Sequence, residues 1–179
     1  MLLAALVLAQ ATAGELPPVS TGAAELVPAA QCDGKLYQAF DFWTGRWNVF
    51  DREKGEPLGK SRIEKINNGC ALRESWAPQQ GAAGGSLNAP DLITGRWHQY
   101  WIDSAGERVD LEGGVFHGAM VLAGSWQRPG TVGQRVILRM TYAPLDGDSV
   151  RQLAEVSSDD GLTWETVFDH LYLREAASD

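Results

Sequence analysis

Arg135-Val136-Ile137-Leu138-Arg139-Met140-Thr141-Tyr142-Ala143, followed after a short break by Ser149-Val150-Arg151-Gln152-Leu153-Ala154-Glu155-Val156-Ser157, is the stretch that decides the fold. In the first run Val136, Leu138, Met140 and Tyr142 share one side, and Ile137, Arg139 and Thr141 share the other. That period of two is imposed by a pleated strand. Between the runs stands Asp146-Gly147-Asp148, residue types that accept the backbone of a tight turn. Together they predict a β-hairpin.

The same grammar extends in both directions. Further strands are predicted at residues 46–51, 59–66, 70–76, 86–89, 96–103, 109–113, 119–126 and 166–174. Turn-forming runs separate them: Glu53-Lys54-Gly55-Glu56-Pro57, Asn67-Asn68-Gly69, Pro90-Asp91, Ser104-Ala105-Gly106 and Asp159-Asp160-Gly161. About ten short strands at this spacing predict an all-β barrel or sandwich. No segment supplies the crossover helix that parallel strands need. Ahead of the first strand, Leu36, Phe40 and Trp43 fall at i, i+4 and i+7 and predict a short helix that Gly45 ends. Thr44-Gly45-Arg46-Trp47 recurs as Thr94-Gly95-Arg96-Trp97, an echo of strand-entry chemistry rather than a repeat architecture.

The chain has 179 residues and opens on Met1-Leu2-Leu3-Ala4-Ala5-Leu6-Val7-Leu8-Ala9, an apolar run too short to span a membrane. Ala11-Thr12-Ala13 follows as an A-x-A cleavage signature, although no Lys or Arg precedes the apolar run. The expectation is a signal peptide over residues 1–13, a Pro-punctuated lead-in over 14–31, a single domain over 32–176, and export to the periplasm or beyond. The formal net charge of −8 argues against nucleic-acid and anionic-membrane partners, which require a basic face. No later apolar segment reaches membrane-spanning length. Cys32 and Cys70 are the only cysteines. In an oxidising compartment two thiols commonly pair, so a disulfide is expected, with two buried free thiols as the other reading. Two cysteines without nearby histidines cannot complete a zinc shell, and no metal is expected.

Several motifs together resemble a known group. Gly45-Arg46-Trp47, after a short helix and before antiparallel strands, is similar to the opening of calycin-like barrels: lipocalins, fatty-acid-binding proteins and nitrobindins. Phe40-Asp41-Phe42-Trp43-x-Gly45-x-Trp47, Gly69-Cys70-x-Leu72-x-Glu74-x-Trp76, Trp97-His98-Gln99-x-Trp101-x-Asp103 and Asp160-Gly161-x-Thr163-Trp164 resemble an uncharacterised family of secreted bacterial domains. The resemblance implies a calycin-like barrel and brings no known activity. The family pattern has an aromatic where this chain has Ala154. It also implies that Trp47 closes one barrel end with Arg174 packed on it, a cation–π contact of about 0.5–2 kcal/mol.

Ser157-Ser158-Asp159-Asp160-Gly161-Leu162-Thr163-Trp164 resembles the Asp-box of sialidases. One copy cannot build a propeller, so the expectation is a hairpin turn, with Asp159 bonding loop amides and Trp164 pinning the turn to the barrel.

Phasing nominates a ligand-facing set. Glu74 and Trp76 share a side with Leu72, and Gln99 and Trp101 share a side with Trp97. Arg139 and Gln152 add polar groups amid apolar neighbours. Pointing inward, these six would make an aromatic cavity with a few fixed polar groups, the usual composition of a small-ligand site. In the competing reading some point to solvent and Glu74 pairs with Arg139. The Gly-rich stretch 77–85 could border a barrel mouth. His98, His117 and His170 are scattered; a haem reading would nominate His170, and without a second haem motif no cofactor is expected. No G-x-S-x-G or H-E-x-x-H is present. The expectation is an exported barrel that binds a small, partly apolar molecule. The alternatives are a hydrolase-type enzyme using Glu74 as general acid or base, and an envelope interaction module with a filled barrel.

Overall fold

The structure, a computed structural model, describes residues 32–127, 135–146 and 148–176; the expected signal peptide and lead-in lie outside them. Ten antiparallel strands follow one short helix, α1 (Lys35–Gln38): β1 (Gly45–Asp51), β2 (Pro57–Ile66), β3 (Ala71–Pro78), β4 (Gly84–Pro90), β5 (Trp97–Asp103), β6 (Arg108–Phe116), β7 (Ala119–Gln127), β8 (Arg135–Leu145), β9 (Ser149–Ser157) and β10 (Glu165–Arg174). Each strand pairs with its neighbours in sequence, and β1 closes on β10. The result is a closed barrel, which leaves no unpaired sheet edge. This is the ten-stranded all-β architecture expected from the turn spacing, and it is consistent with a calycin-like barrel.

Alternation sets the two faces. In β8, Leu138, Met140 and Tyr142 are buried. In β9 every second residue from Val150 to Val156 is buried. The core runs through these positions and through Trp47, Val49, Ile63, Leu72, Trp97, Leu111, Met120 and Leu122.

The segment before β1 forms the floor. α1 is shorter than the predicted helix and gives way to a 3-10 turn at Asp41–Trp43, where Thr44 Oγ1 donates to the Asp41 carbonyl. The break still delivers the apolar face, because Phe40 and Trp43 are fully buried. Phe40 stacks on Trp43 with centroids 4.9 Å apart and meets Trp97 edge-on at 5.6 Å. Tyr142 lies 4.7 Å from Trp43 and joins this floor to the barrel wall. Cys32 and Cys70 form a disulfide, with Cα atoms 4.8 Å apart, that ties the start of the floor segment to the β2–β3 turn.

Trp47 is fully buried on the first strand, and the Arg174 guanidinium carbon sits 4.2 Å from its ring centroid. Arg174 also donates to the Thr44 carbonyl at 3.1 Å and pairs with Asp148. Gly45 is needed here: its φ is +133°, and a Cβ would stand 2.1 Å from Arg174 Nη1. At the other end of β10, Asp159 accepts from the Thr163 amide and hydroxyl and from the Ser157 hydroxyl. These bonds hold its carboxyl down at about 2. Trp164 packs under the Arg139 guanidinium, 3.7 Å from ring centroid to carbon. The Asp-box-like segment is therefore a hairpin turn fastened to the barrel wall.

No helix among the described residues is long and apolar enough to cross a membrane. Among them no group of three or more His, Cys, Asp or Glu is placed to hold a metal ion.

Candidate functional site

A cavity of about 310 Å³ lies inside the barrel on the side away from the floor. Its walls come from β3 and from β5 through β10, and its rim from the β3–β4 and β5–β6 connections. Trp76, Trp101 and Trp126 provide the aromatic faces, with Phe168, Leu138 and Met140 between them. An apolar cavity of about 150 Å³ holds benzene, so this one has room for about two such rings.

The polar part is one connected system. In antiparallel pairs, residues directly opposite each other point to the same face. Glu74 faces Ser86, Asn88 faces Gln99, and Tyr142 faces Gln152. Glu74 accepts from Ser61 Oγ at one oxygen and from Ser86 Oγ at the other, both at 2.9 Å. Asn88 Nδ2 donates to Ser86 Oγ at 2.9 Å, and Gln99 Nε2 donates to Asn88 Oδ1 at 2.7 Å. Gln99 also pairs with the Tyr142 hydroxyl at 2.9 Å. Gln152 Nε2 donates to that hydroxyl at 3.2 Å, while Tyr172 donates to Gln152 Oε1 at 2.5 Å. Six strands, β2, β3, β4, β5, β8 and β10, are thus joined through side chains to β9 across the barrel interior.

Glu74 is the acceptor on which two donor arms converge. Burial pushes its carboxyl up to about 7, against the Ser61 and Ser86 hydrogen bonds that pull it down. The net effect is a group that changes charge near neutral pH. Tyr142 and Tyr172 are raised well above 10, chiefly by burial, and stay neutral. At the wall nearer the mouth, burial lowers His170 to about 4 despite the Asp51 and Asp169 carboxylates, so its imidazole is uncharged at neutral pH. Its ring stacks on Phe168, centroids 4.1 Å apart. At the rim, Trp126 Nε1 donates to Glu107 Oε1 at 3.0 Å. Asp103 Oδ1 accepts from the Ala105 and Glu107 amides and shapes the β5–β6 turn. Gly84 makes room for Trp101: a Cβ there would stand 2.6 Å from the ring.

Five of the six nominated residues, Glu74, Trp76, Gln99, Trp101 and Gln152, come together in this cavity. Arg139 does not. It lies one residue out of phase with Leu138 and Met140, on the outer face, where it pairs with Glu155 at 2.9 Å and lies over the Trp164 ring. The alternative Glu74–Arg139 ion pair is absent for the same reason. Ala82, within the Gly-rich stretch, lies on the rim as expected, and Ala154 is part of the wall. The sequence reading missed Ser61, Ser86, Asn88, Tyr142 and Tyr172, and it considered His170 only for haem. Ser86 and Asn88 stand two apart in a short strand, a signal that could have placed both on one face. Ser61 carried no such signal. No protein-family model matches the chain, and no curated protein matches it.

Proposed function

We propose that this protein is an exported calycin-like barrel that binds a small, partly apolar molecule in its cavity. One observation carries the reading: an open space of about 310 Å³ has tryptophan faces on its walls and a buried, hydrogen-bonded carboxyl among them. Ligand sites characteristically combine mostly apolar walls with a few fixed polar groups. The polar groups here are locked by one another rather than by solvent, so they are set before a ligand arrives. Such preorganisation lowers the ordering cost of binding. A disulfide is the usual companion of an oxidising compartment, which supports export.

The test is native mass spectrometry of the mature protein purified gently from its own host, with bound small molecules extracted and identified. A reproducible adduct that Trp101→Ala loses would support the reading. A clean protein mass in every preparation would count against it.

A second reading has one observation in its favour. A carboxyl pushed up to about 7 inside a cavity has the acidity of a general acid or base. Both Glu74 oxygens already accept hydroxyl hydrogen bonds, and no cysteine or lysine nucleophile lines the cavity among the described residues. Binding is therefore the reading we adopt. Turnover of an identified ligand that Glu74→Gln abolishes while binding survives would replace it.

A further inference from the structure

We propose that the ligand is an organic monocation, a protonated amine on an aromatic or short aliphatic body, with Glu74 as its counter-ion; this rests on the cavity being a ligand site.

The argument is one of charge sorting. The ionisable groups that line the cavity are Glu74, Asp103, Glu107, His170 and the two tyrosines, and no lysine or arginine lines it among the described residues. The arginines of the same strands are turned outward. Arg139 pairs with Glu155, and Arg151 makes two 2.8 Å bonds to Asp169. His170 is uncharged at neutral pH. An anion such as a fatty acid would leave water for a space where no described residue offers it a cation, an uncompensated cost. A cation meets the opposite situation. The tryptophan faces carry the negative side of the ring quadrupole, and among the described residues no cation sits over Trp76, Trp101 or Trp126, whereas Trp47 and Trp164 are already covered by arginines. Deep in the same space Glu74 offers the charge partner. Among the described residues the titratable groups facing Glu74 are Tyr142 and Tyr172, both neutral, so neither neutralises it.

The coupling has a direction. A cation beside Glu74 favours the ionised carboxylate, so binding releases a proton whenever Glu74 starts protonated. Affinity for an amine should rise as pH rises toward 7 and level off above it. A neutral analogue should show no such slope.

Three matched probes separate the possibilities: phenethylamine, phenethyl alcohol and hydrocinnamate share an arene and differ in head charge. Their affinities for the disulfide-bonded protein are read by quenching of tryptophan fluorescence between pH 5 and 8. The expected result at pH 8 is that the amine binds about tenfold more tightly than the alcohol, with the carboxylate weakest. Lowering the pH below 7 should weaken the amine by up to about tenfold per unit and leave the alcohol unmoved. Glu74→Gln keeps the shape, with one serine hydroxyl turning to accept from the new amide, and should erase the pH slope and most of the amine's advantage while the alcohol's binding stays independent of pH. Hydrocinnamate binding as tightly as the amine, or an amine advantage that survives Glu74→Gln undiminished, would overturn the charge inference and leave the cavity reading standing. If none of the three binds at millimolar concentration, both fall.

Discussion

Arg174 and Trp47 sit directly opposite each other in the β1–β10 pairing, with the guanidinium lying over the indole at 4.2 Å. They fasten together the first and last strands, the one junction of the barrel that joins strands distant in sequence. Arg174→Lys keeps the charge but loses the planar stack and the bond to the Thr44 carbonyl. The substitution should cost about 1–2 kcal/mol, seen as a lower urea midpoint with an unchanged m-value. An unchanged midpoint would show that the junction holds without this contact.

The disulfide should act on the floor as well as on global stability. Its loop spans a sequence separation of 38, for which the loop-entropy model gives about 4 kcal/mol. Cys32→Ala with Cys70→Ala should therefore lower the unfolding free energy by up to about 4 kcal/mol. Amide exchange should show the loss most strongly across residues 35–43.

Two buried groups should oppose each other in the pH dependence of stability. Glu74 is raised from 4.5 to about 7, so the folded state holds the extra proton across that window and stability falls as pH rises through it. His170 is lowered from 6.5 to about 4, so the unfolded state holds the extra proton and stability rises with pH between 4 and 6.5. The two slopes nearly cancel in the native protein between about pH 4.5 and 6.5. Glu74→Gln should expose the rising slope and His170→Asn the falling one, each on the order of 3 kcal/mol across its window. Denaturation midpoints at half-unit pH steps read this out, and a native protein with a steep slope in that window would contradict it.

The tryptophans should divide by position. Trp76 and Trp101 are only partly buried on the cavity wall, whereas Trp43 is fully buried in the floor. Trp43→Ala should cost about 3–5 kcal/mol. Trp76→Ala and Trp101→Ala should leave a folded domain and weaken ligand binding about tenfold. If both cavity variants unfold, those rings belong to the core.

The strands were legible because each signal was local. Alternation such as that from Val136 to Tyr142, and turn chemistry such as Asn67-Asn68-Gly69, depend on residues within a few positions of one another. Cavity residues were legible to the same extent: Glu74 with Trp76, and Gln99 with Trp101, follow from phase within a strand. Arg139 was misplaced because polarity amid apolar neighbours was weighed above its phase, which had already set it opposite Tyr142. The hydrogen bonds that connect the polar residues were not legible. Ser61 reaches Glu74 across β2 and β3, and Tyr172 reaches Gln152 across β10 and β9, contacts that exist only once cross-strand register is set. The helix was read one turn too long because spacing of apolar residues cannot distinguish an α-helix from a 3-10 turn that presents the same rings.

The aromatic floor closes one end of this barrel, and the cavity lies toward the other. On the proposed binding function, a guest that enters between Trp76, Trp101 and Trp126 passes the water it displaces on the way in, and the floor bars it from leaving at the far end. Residence time, on that function, is set at the rim, where the Trp126–Glu107 hydrogen bond ties the end of β7 to the β5–β6 connection, while selectivity is decided at depth. Changes at the rim would retune how long a guest stays without altering which guest is chosen.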